Sequence, residues 1–316
     1  MSGDLIRAAL PRYGLAPDTP LALLNRSENE TWRAGPLILR LHRQGYHTHA
    51  EIASEIMWLT ALHDVPGLRA VRPVANISGR PATELAGRCI VAFAPIAARE
   101  LLVTDDLAQW FPDLGQITAH LHAHARRWTP PKGFTRKRWD CETILGPAPH
   151  WGDWRDAPGL NATGRAIVDR ATAALTESLA AYGTGPEVFG LIHADLRLSN
   201  LMRDDQGLWV IDFDDCGFGW WFYDLAAALS FHETDPRVPD LIARWCDGYA
   251  TVASLPASDR AMIPALILLR RIVLTAWLAS RADSDTASAL GGARFTAGTV
   301  LLAERYLTDG LPQFKG

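Results

Sequence analysis

The sequence predicts an α+β fold with a small β-rich N-terminal part and a larger, mostly helical C-terminal part. Strand-like runs of β-type residues cluster early in the chain, at residues 36–42 and twice within residues 70–93. From about residue 105 onwards the apolar residues recur with helical spacing, except for a hairpin pattern at residues 201–212. We therefore predict two lobes, covering residues 1–95 and 96–316.

Each element has its own pattern. Residues 1–35 mix a short helical pattern with turn signals, and PLILRLH (36–42) is a short strand. In EIASEIMWLTAL (51–62) the apolar residues fall on one face of a helix. The Pro-, Gly- and Trp-rich residues 129–159 predict an irregular insertion. The helices that follow the N-terminal part are predicted at residues 105–125, 161–182, 222–232, 238–254, 259–281 and 285–307.

Composition excludes several functional classes. Of the 316 residues, 48% are hydrophobic and 21% charged, which is typical of a globular protein with an ample core. A net charge of -4 gives no support to a nucleic-acid partner. The four cysteines form no CxxC pair, so a zinc site is not indicated. The apolar run IPALILLRRIVLTAWLA is interrupted by Arg270 and Arg271, which predicts a buried helix and no membrane partner. A chain of this size also needs no disulfides, so we expect a cytoplasmic location.

Residues 190–215, GLIHADLRLSNLMRDDQGLWVIDFDD, place aspartates among apolar residues. Strand-like runs flank a turn that carries Gly207, and an antiparallel pair closed there would bring Asn200 beside Asp212. Asp195 lies in the loop that leads into the first strand. Oxygen ligands from Asp and Asn suit a hard cation such as Mg²⁺, which shares its remaining positions with water and substrate phosphates. The alternative is an acidic surface turn, which is what we expect of Asp204 and Asp205.

These residues carry a resemblance. HADLRLSN resembles the catalytic loop of protein-kinase-like phosphotransferases, with His, Asp and an Asn five residues after the Asp. IDFDD follows at the spacing of their metal-binding Asp motif. Over roughly residues 20–230 the sequence is similar to the aminoglycoside phosphotransferase and choline kinase superfamily. The resemblance implies a bilobal protein-kinase-like fold and transfer of the γ-phosphoryl group of ATP, with Mg²⁺, to a hydroxyl of a small acceptor.

The resemblance also implies roles in the C-terminal lobe. Asp195 would be the catalytic base, and Asn200 and Asp212 would ligate Mg²⁺. Three further residues have a role and an alternative. Arg197 would meet the transferred phosphate; the alternative is that it pairs with a neighbouring Asp. Asp214 would be a second metal ligand, and the alternative is a solvated carboxylate. Asp224 would support the catalytic loop, and the alternative is an ordinary acid at a helix N-terminus. His193 would brace the loop.

A charged pair is expected in the N-terminal lobe. Glu55 falls within the apolar stripe of its helix and therefore needs a cationic partner. In the kinase fold a strand lysine takes that role and also touches the nucleotide phosphates. The matching position here is Arg40, on a strand face opposite to Leu39 and Leu41. The alternative is an arginine in solvent at a strand end.

The resemblance further implies nucleotide contacts. SENETW (27–32) resembles the loop that lies over the nucleotide, and Ser27 and Asn29 would supply hydrogen bonds to it; the alternative is a plain polar turn. RCIVAFAPI (88–96) stands where the family joins its lobes. The backbone from Val91 to Phe93 would then bind adenine, with apolar side chains on either side of the ring.

The acceptor is predicted from the insertion. WDCETILGPAPHWGDWRD (139–156) combines three tryptophans with four acids, which suits an ammonium group. We therefore expect an amine-bearing alcohol, with aromatic packing under a loop as the alternative. Two other functions stay open at this stage: a serine/threonine protein kinase, and a nucleotide-binding pseudokinase, which the presence of Asp195, Asn200 and Asp212 disfavours. The sequence leaves the oligomeric state open.

Overall fold

A computed structural model describes residues 2–27, 29–282 and 289–314. The chain forms two compact units: unit 1 comprises Met1–Arg99, Thr129–Arg136 and Met202–Asp214, and unit 2 comprises Glu100–Trp128, Lys137–Leu201 and Asp215–Gly316. The first passage between units lies four residues after the predicted boundary. The two later returns to unit 1 were not predicted, because a pattern along the chain does not show which unit a short segment joins. The assignment of nucleotide binding and acceptor binding to separate lobes stays a prediction.

Unit 1 is built on an antiparallel sheet in the order β1-β2-β3-β6-β4, with β5 also paired to β6. Its apolar face packs against the N-terminal helix through a cluster that includes Ile6, Leu39, Leu41 and Ile90. The elements are α1 (Ser2–Ala9), β1 (Leu21–Arg26), β2 (Glu30–Ala34), β3 (Leu37–Leu41), α2 (His49–Leu62), β4 (Pro73–Val74), β5 (Thr83–Leu85) and β6 (Arg88–Phe93).

Strands β1 and β2 were missed by the sequence interpretation of residues 1–35. The first of them, LALLNR, is exposed along five of its six residues. An edge strand of this kind has no buried face, so its sequence lacks the alternation of apolar and polar residues that identifies a strand. The strand predicted at residues 36–42 and the helix predicted at residues 51–62 are both confirmed.

The predicted hairpin is present as β10 (Leu201–Asp204) and β11 (Gly207–Val210). Gly207 enters the second strand with φ near +129°, a conformation that favours glycine. Asp204, expected in an acidic surface turn, has a side chain that is 24% exposed and pairs with Arg69, which donates to both of its carboxylate oxygens at 2.7 and 2.6 Å. Asp205 is exposed, as expected.

Unit 2 is mostly helical. Within it β12 pairs in parallel with β8 and antiparallel with β9. The helices predicted from residue 105 onwards are present with shifted ends; residues 285–288 of the last predicted helix lie outside the described residues. The elements are α3 (Leu107–Arg127), β8 (Arg138–Trp139), α4 (Cys141–Leu145), α5 (Ala162–Tyr182), β9 (Phe189–Ile192), β12 (Gly217–Trp220), α6 (Tyr223–Ala228), α7 (Val238–Ala250), α8 (Ala257–Ser280) and α9 (Gly292–Asp309), with β7 (Arg99–Glu100) where the chain leaves unit 1.

Helix α8 is the central helix of unit 2 and packs against α5, α6 and α9. Among the described residues it is the one helix that is long and apolar enough to cross a membrane, but 83% of its most apolar stretch is buried inside the protein. Arg270 and Arg271 are buried with it. The prediction of a buried helix interrupted by two arginines is therefore confirmed.

Helices α3 and α7 approach closely where each carries a glycine. A Cβ atom on Gly115 would lie 2.1 Å from the carbonyl oxygen of Trp245, and one on Gly248 would lie 2.0 Å from that of Pro112. Both neighbours are backbone atoms, which cannot move aside as a flexible side chain can. The two glycines therefore set the distance between α3 and α7.

We expect Gly248→Ala to lower the free energy of unfolding by about 1–3 kcal/mol, because the added methyl group overpacks a backbone contact. Urea denaturation followed by circular dichroism measures the loss. The matched control is Gly3→Ala in α1, where the added Cβ meets only the Trp32 ring, at an ordinary 3.5 Å. Equal stability of the two variants would show that α3 and α7 do not depend on this close approach.

Candidate active site

The buried ion pair expected in unit 1 is present. The Nη2 atom of Arg40 donates to both carboxylate oxygens of Glu55, at 2.6 and 2.5 Å. Helix α2 begins with a capping box between Thr48 and Glu51, which fixes where its first turn starts and so the face on which Glu55 lies. Only 5% of the Arg40 side chain is exposed, so the alternative of an arginine in solvent was wrong.

Arg40 also reaches the acidic segment that follows β11. Its Nη1 atom donates to Oδ1 of Asp212 at 3.0 Å, and its guanidinium lies over the Phe93 ring at 5.0 Å. Asp212 has φ near +60°, a left-handed conformation that is rare for a residue with a side chain and that concentrates at functional sites. Its side chain is 37% exposed. One guanidinium therefore holds both a buried glutamate and a strained, accessible aspartate.

Asp214 lies in a buried network, so the alternative of a solvated carboxylate was wrong. Its Oδ2 atom accepts from Asn29 at 2.8 Å, and imidazole nitrogens of His42 and His47 each lie 3.4 Å from a carboxylate oxygen. Burial alone would raise the pKa of Asp214, but the Arg40 charge, followed by His47, holds it well below the usual value. Asp214 is therefore ionised, and its role as a metal ligand stays a prediction.

Three residues of this network were not assigned a role from the sequence. Burial, together with the Arg40 charge, lowers the pKa of His42 to about 3, so its ring is neutral at physiological pH. Arg136, from the second segment of unit 1, donates to the backbone oxygens of Asp214 and Glu51. A signal for His42 was available, because it follows Arg40 by two residues on the strand. His47 and Arg136 meet Asp214 only through the fold.

Two predicted nucleotide contacts have partners within unit 1. The side-chain amide of Asn29 donates to Asp214 and accepts from the backbone N–H of Arg43, at 2.8 and 2.9 Å, so it holds the β1–β2 turn to the interior. The backbone from Val91 to Phe93 pairs with β3, with Val91 opposite Arg40, and Ala92 and Phe93 also pair with β4. The contacts of Asn29 and of this backbone with a nucleotide stay predictions.

Ser27 and Phe93 are the other residues predicted to contact the nucleotide. Ser27 is exposed at the β1–β2 turn, and its backbone N–H donates to the backbone oxygen of Asn29. Phe93 is buried beneath the Arg40 guanidinium. Their roles toward a nucleotide stay predictions, as do those of Arg40 and Glu55.

In unit 2, Asp195 is the centre of the catalytic loop. Its Oδ2 atom accepts from the Asn200 amide at 2.8 Å and from Nε of Arg197 at 3.1 Å. Its Oδ1 atom accepts from Nη2 of Arg270 at 2.5 Å. Burial would raise the pKa of Asp195, but Arg197 and Arg270 lower it below the usual value. The carboxylate is therefore ionised and oriented, as a hydrogen-bond acceptor for a substrate hydroxyl must be.

Arg197 takes up the alternative that the sequence left open, since it pairs with Asp195. Its side chain is 27% exposed, which leaves it able to reach an anionic ligand as well. The Asn200 amide nitrogen also donates to the backbone oxygen of Asp195, which turns the amide oxygen away from the carboxylate. Asn200 belongs to unit 2 and Asp212 to unit 1.

Asp224 and His193 hold the loop through hydrogen bonds to its backbone N–H groups. The Asp224 carboxylate accepts from the backbone N–H groups of His193 and Ala194, at 3.1 and 2.7 Å, and lies 3.2 Å from Nε2 of His122. The His193 ring accepts from the Asp195 backbone N–H at 3.3 Å. Ala194 has φ near +65°, so the loop is held in a strained turn. The geometry is that of a support for the loop, and the alternative of an ordinary helix-terminal acid does not describe it.

The tryptophans of residues 139–156 are packing residues. Trp139, Trp151 and Trp154 are each at most 6% exposed, and the indole of Trp139 donates to the backbone oxygen of Asp215. Asp140 caps α4, and Asp153 accepts from Arg155. The alternative of aromatic packing under a loop therefore describes the three tryptophans, and the expected ammonium site does not lie on their buried faces.

The comparisons with known proteins agree with this geometry. A sequence model described as the phosphotransferase enzyme family matches residues 23–261. The chain belongs to this family. It is an ATP-dependent kinase that acts on a hydroxyl of a small molecule, in a protein-kinase-like fold. This settles the choice among the three functions that the sequence left open.

Individual relatives of this phosphotransferase differ in sequence identity and in structural similarity to it. A microcompartment-associated aminopropanol kinase of known structure is 42% identical, with a TM-score of 0.90 over 98% of this chain and 99% of its own. The structure of amicoumacin kinase hAmiN in complex with AMP-PNP, Ca²⁺ and Ami is 22% identical, with a TM-score of 0.76 over 95% and 92%. Amicoumacin kinase of Bacillus subtilis (strain 168) is 21% identical over 90% of this chain and 86% of its own.

We expect Arg40→Met and Glu55→Leu each to lower the free energy of unfolding by about 3–5 kcal/mol, because each leaves a buried charge without its partner. The double variant should lose less than the sum of the two, since it removes both charges together. Chemical denaturation of all four proteins measures the coupling. Additive losses would contradict a pair that acts as one unit.

We expect Asp195→Asn to lower kcat about a hundred- to ten-thousand-fold while nucleotide affinity changes little, because the variant loses the acceptor for the hydroxyl proton. Steady-state kinetics and nucleotide titration separate the two effects. Asp205→Asn, at the exposed hairpin turn, is the matched control and should keep full activity. Full activity of Asp195→Asn would remove this residue from the mechanism.

Proposed function

We propose that this phosphotransferase transfers the γ-phosphoryl group of ATP, with Mg²⁺, to the hydroxyl of a small amino alcohol. The observation that carries the proposal is the 42% identity to an aminopropanol kinase along nearly the full length of both chains. Relatives this similar commonly keep a related acceptor, whereas the fold alone does not select one. The amine-bearing alcohol expected from composition is thereby retained, although not at the tryptophan cluster first considered for it.

The acidic side chains of this segment fit a hard divalent cation, which prefers oxygen ligands. Asp212 is accessible and Asp214 is ionised with Oδ1 buried and without a hydrogen bond from the described residues. Within unit 2, the amide nitrogen of Asn200 donates to Asp195, and the role of Asn200 as a metal ligand stays a prediction. Carboxylate and amide oxygens are the ligands that Mg²⁺ prefers. When bound, Mg²⁺ would neutralise phosphate charge, which is most of what phosphoryl transfer needs.

The chain's own groups then have separate tasks. The ionised Asp195 accepts a hydrogen bond from the acceptor hydroxyl and takes its proton as the new oxygen–phosphorus bond forms, while the bond from the γ-phosphorus to the bridging oxygen breaks and ADP leaves. Arg197, partly exposed beside it, offers positive charge to the transferring group. Arg40 holds Asp212 in place and carries the positive charge that a lysine supplies in protein kinases. Arginine has a wider, planar fork, and it therefore binds Glu55 and Asp212 through different nitrogens.

A cytoplasmic location, with neither nucleic-acid nor membrane partner, belongs to the same proposal. The net charge of -4 and the four free cysteines support it, because free thiols persist in a reducing compartment.

We expect Asp212→Ala to weaken nucleotide affinity in the presence of Mg²⁺ and to leave it nearly unchanged in EDTA, because the substitution removes a formal charge opposite the ion. Titrations of an ATP analogue under both conditions measure the difference. Asp205→Ala serves as the control for the loss of a nearby acidic charge. Equal losses with and without Mg²⁺ would show that Asp212 does not ligate the metal.

A screen of ADP release over matched acceptors tests the proposed substrate class. The panel pairs 1-amino-2-propanol, 2-aminoethanol and 3-amino-1-propanol with the alcohols that lack the amine, and adds sugars and hydroxylated amino acids. We expect the amino alcohols to be phosphorylated with higher kcat/KM than their amine-free counterparts. Equal activity on both, or activity confined to sugars, would overturn the acceptor assignment while leaving the enzyme class intact.

A further inference from the structure

Arg270 is a buried cation in α8, the long apolar helix at the centre of unit 2. Its side chain is 1% exposed, in the middle of α8, and it is among the largest fully buried side chains. An arginine in such a place is costly unless every part of its charge has a partner. The partners of Arg270 therefore indicate what it does.

The three nitrogens of the guanidinium bind three different pieces of unit 2. Nε donates to the Ser230 hydroxyl at 2.9 Å, Nη1 to the backbone oxygen of Ala194 at 3.2 Å, and Nη2 to Oδ1 of Asp195 at 2.5 Å. The guanidinium also lies over the rings of Trp151 and Tyr223, at 5.1 and 5.7 Å. The fork is therefore fixed both in its plane and in its direction.

This arrangement decides the orientation of the catalytic carboxylate. Asn200 and Arg197 donate to Oδ2 of Asp195, and Arg270 is the donor that the described residues supply to Oδ1. A carboxylate oxygen has two acceptor directions, so Oδ1 keeps one for the acceptor hydroxyl. The Asp195 side chain is 12% exposed and Arg270 1%, so the arginine lies on its buried side.

We propose that Arg270 is the positioning residue of the phosphoryl-transfer step: it holds Oδ1 of Asp195 so that the remaining acceptor direction of that oxygen meets the substrate hydroxyl. Arg270 touches neither acceptor nor nucleotide and acts only through Asp195 and the Ala194 carbonyl. The inference requires phosphoryl transfer but not the amino-alcohol acceptor. It predicts that removing the Arg270 side chain from α8, 75 residues from Asp195 along the chain, lowers the rate of the chemical step.

Arg271 offers a matched control on the same helix. It is also buried, and its three nitrogens also donate to three partners: the Thr299 hydroxyl, the Glu233 carboxylate and the Phe295 backbone oxygen. Its guanidinium lies over the Phe295 ring. Its hydrogen bonds and ion pair join α8 to α9 and to Glu233. Removing it therefore disturbs the helix to a similar degree without reaching the catalytic loop.

The experiment compares Arg270→Gln with Arg271→Gln in the full chain. We expect both variants to lose thermal stability, but only Arg270→Gln to lower kcat, by about a hundredfold, since a small misplacement of a catalytic group has an effect of this size. KM for ATP should stay within about twofold of wild type, because the change affects the chemical step and not nucleotide binding. Rates are normalised to the folded fraction measured by circular dichroism.

Arg270→Lys and Ser230→Ala keep the test decisive if Arg270→Gln does not fold. Lysine keeps the charge but cannot reach all three partners, so its kcat should lie between those of wild type and Arg270→Gln. Ser230→Ala removes only the Nε partner and should retain most of the activity. If the acceptor screen finds no substrate, the same comparison is made on ATP hydrolysis, with water as the acceptor. Equal kcat for the Arg270 and Arg271 variants, or a loss confined to KM, would overturn the proposal.

Discussion

The guanidinium of Arg40 joins three parts of unit 1 that are far apart in sequence. It lies on β3, binds Glu55 on α2 and binds Asp212 after β11. Without this cation the buried glutamate would lose the partner of its charge, which is costly, and the strained aspartate would lose an ion pair. Arg40 therefore links the pairing of Glu55 to the orientation of Asp212.

Unit 2 repeats the principle with different residues. Asp195 is ionised because Arg197 and Arg270 offset the effect of its burial, and Asp224 is buried because backbone N–H groups of the catalytic loop donate to it. In both units the acids of the segment from residue 190 to residue 215 are compatible with apolar surroundings through fixed donors. A bound cation would add to this compensation but is not needed to explain it.

How much could be predicted from the sequence depended on distance along the chain. The hairpin and the loop before it are local, so the spacing of Asp195 and Asn200 carried the resemblance from which their roles are predicted. The contact between Arg40 and Glu55 followed from combining a strand period with a helix period. Arg270 and Arg136 could not be assigned because they reach Asp195 and Asp214 across 75 and 78 residues, through packing that no local pattern records.

The division of unit 1 into three chain segments has a consequence for its synthesis. A ribosome that has completed residues 1–99 has made strands β1–β6 and helix α2 of unit 1. It has not yet made Arg136, Asp212 or Asp214. Arg40 and Glu55 can pair at that stage, while the histidines near Asp214 still lack their carboxylate. Unit 1 therefore cannot reach its final structure before residue 214 has left the ribosome, and intervening parts of unit 2 must be accommodated first. A fragment ending at residue 99 is for the same reason not a self-sufficient domain.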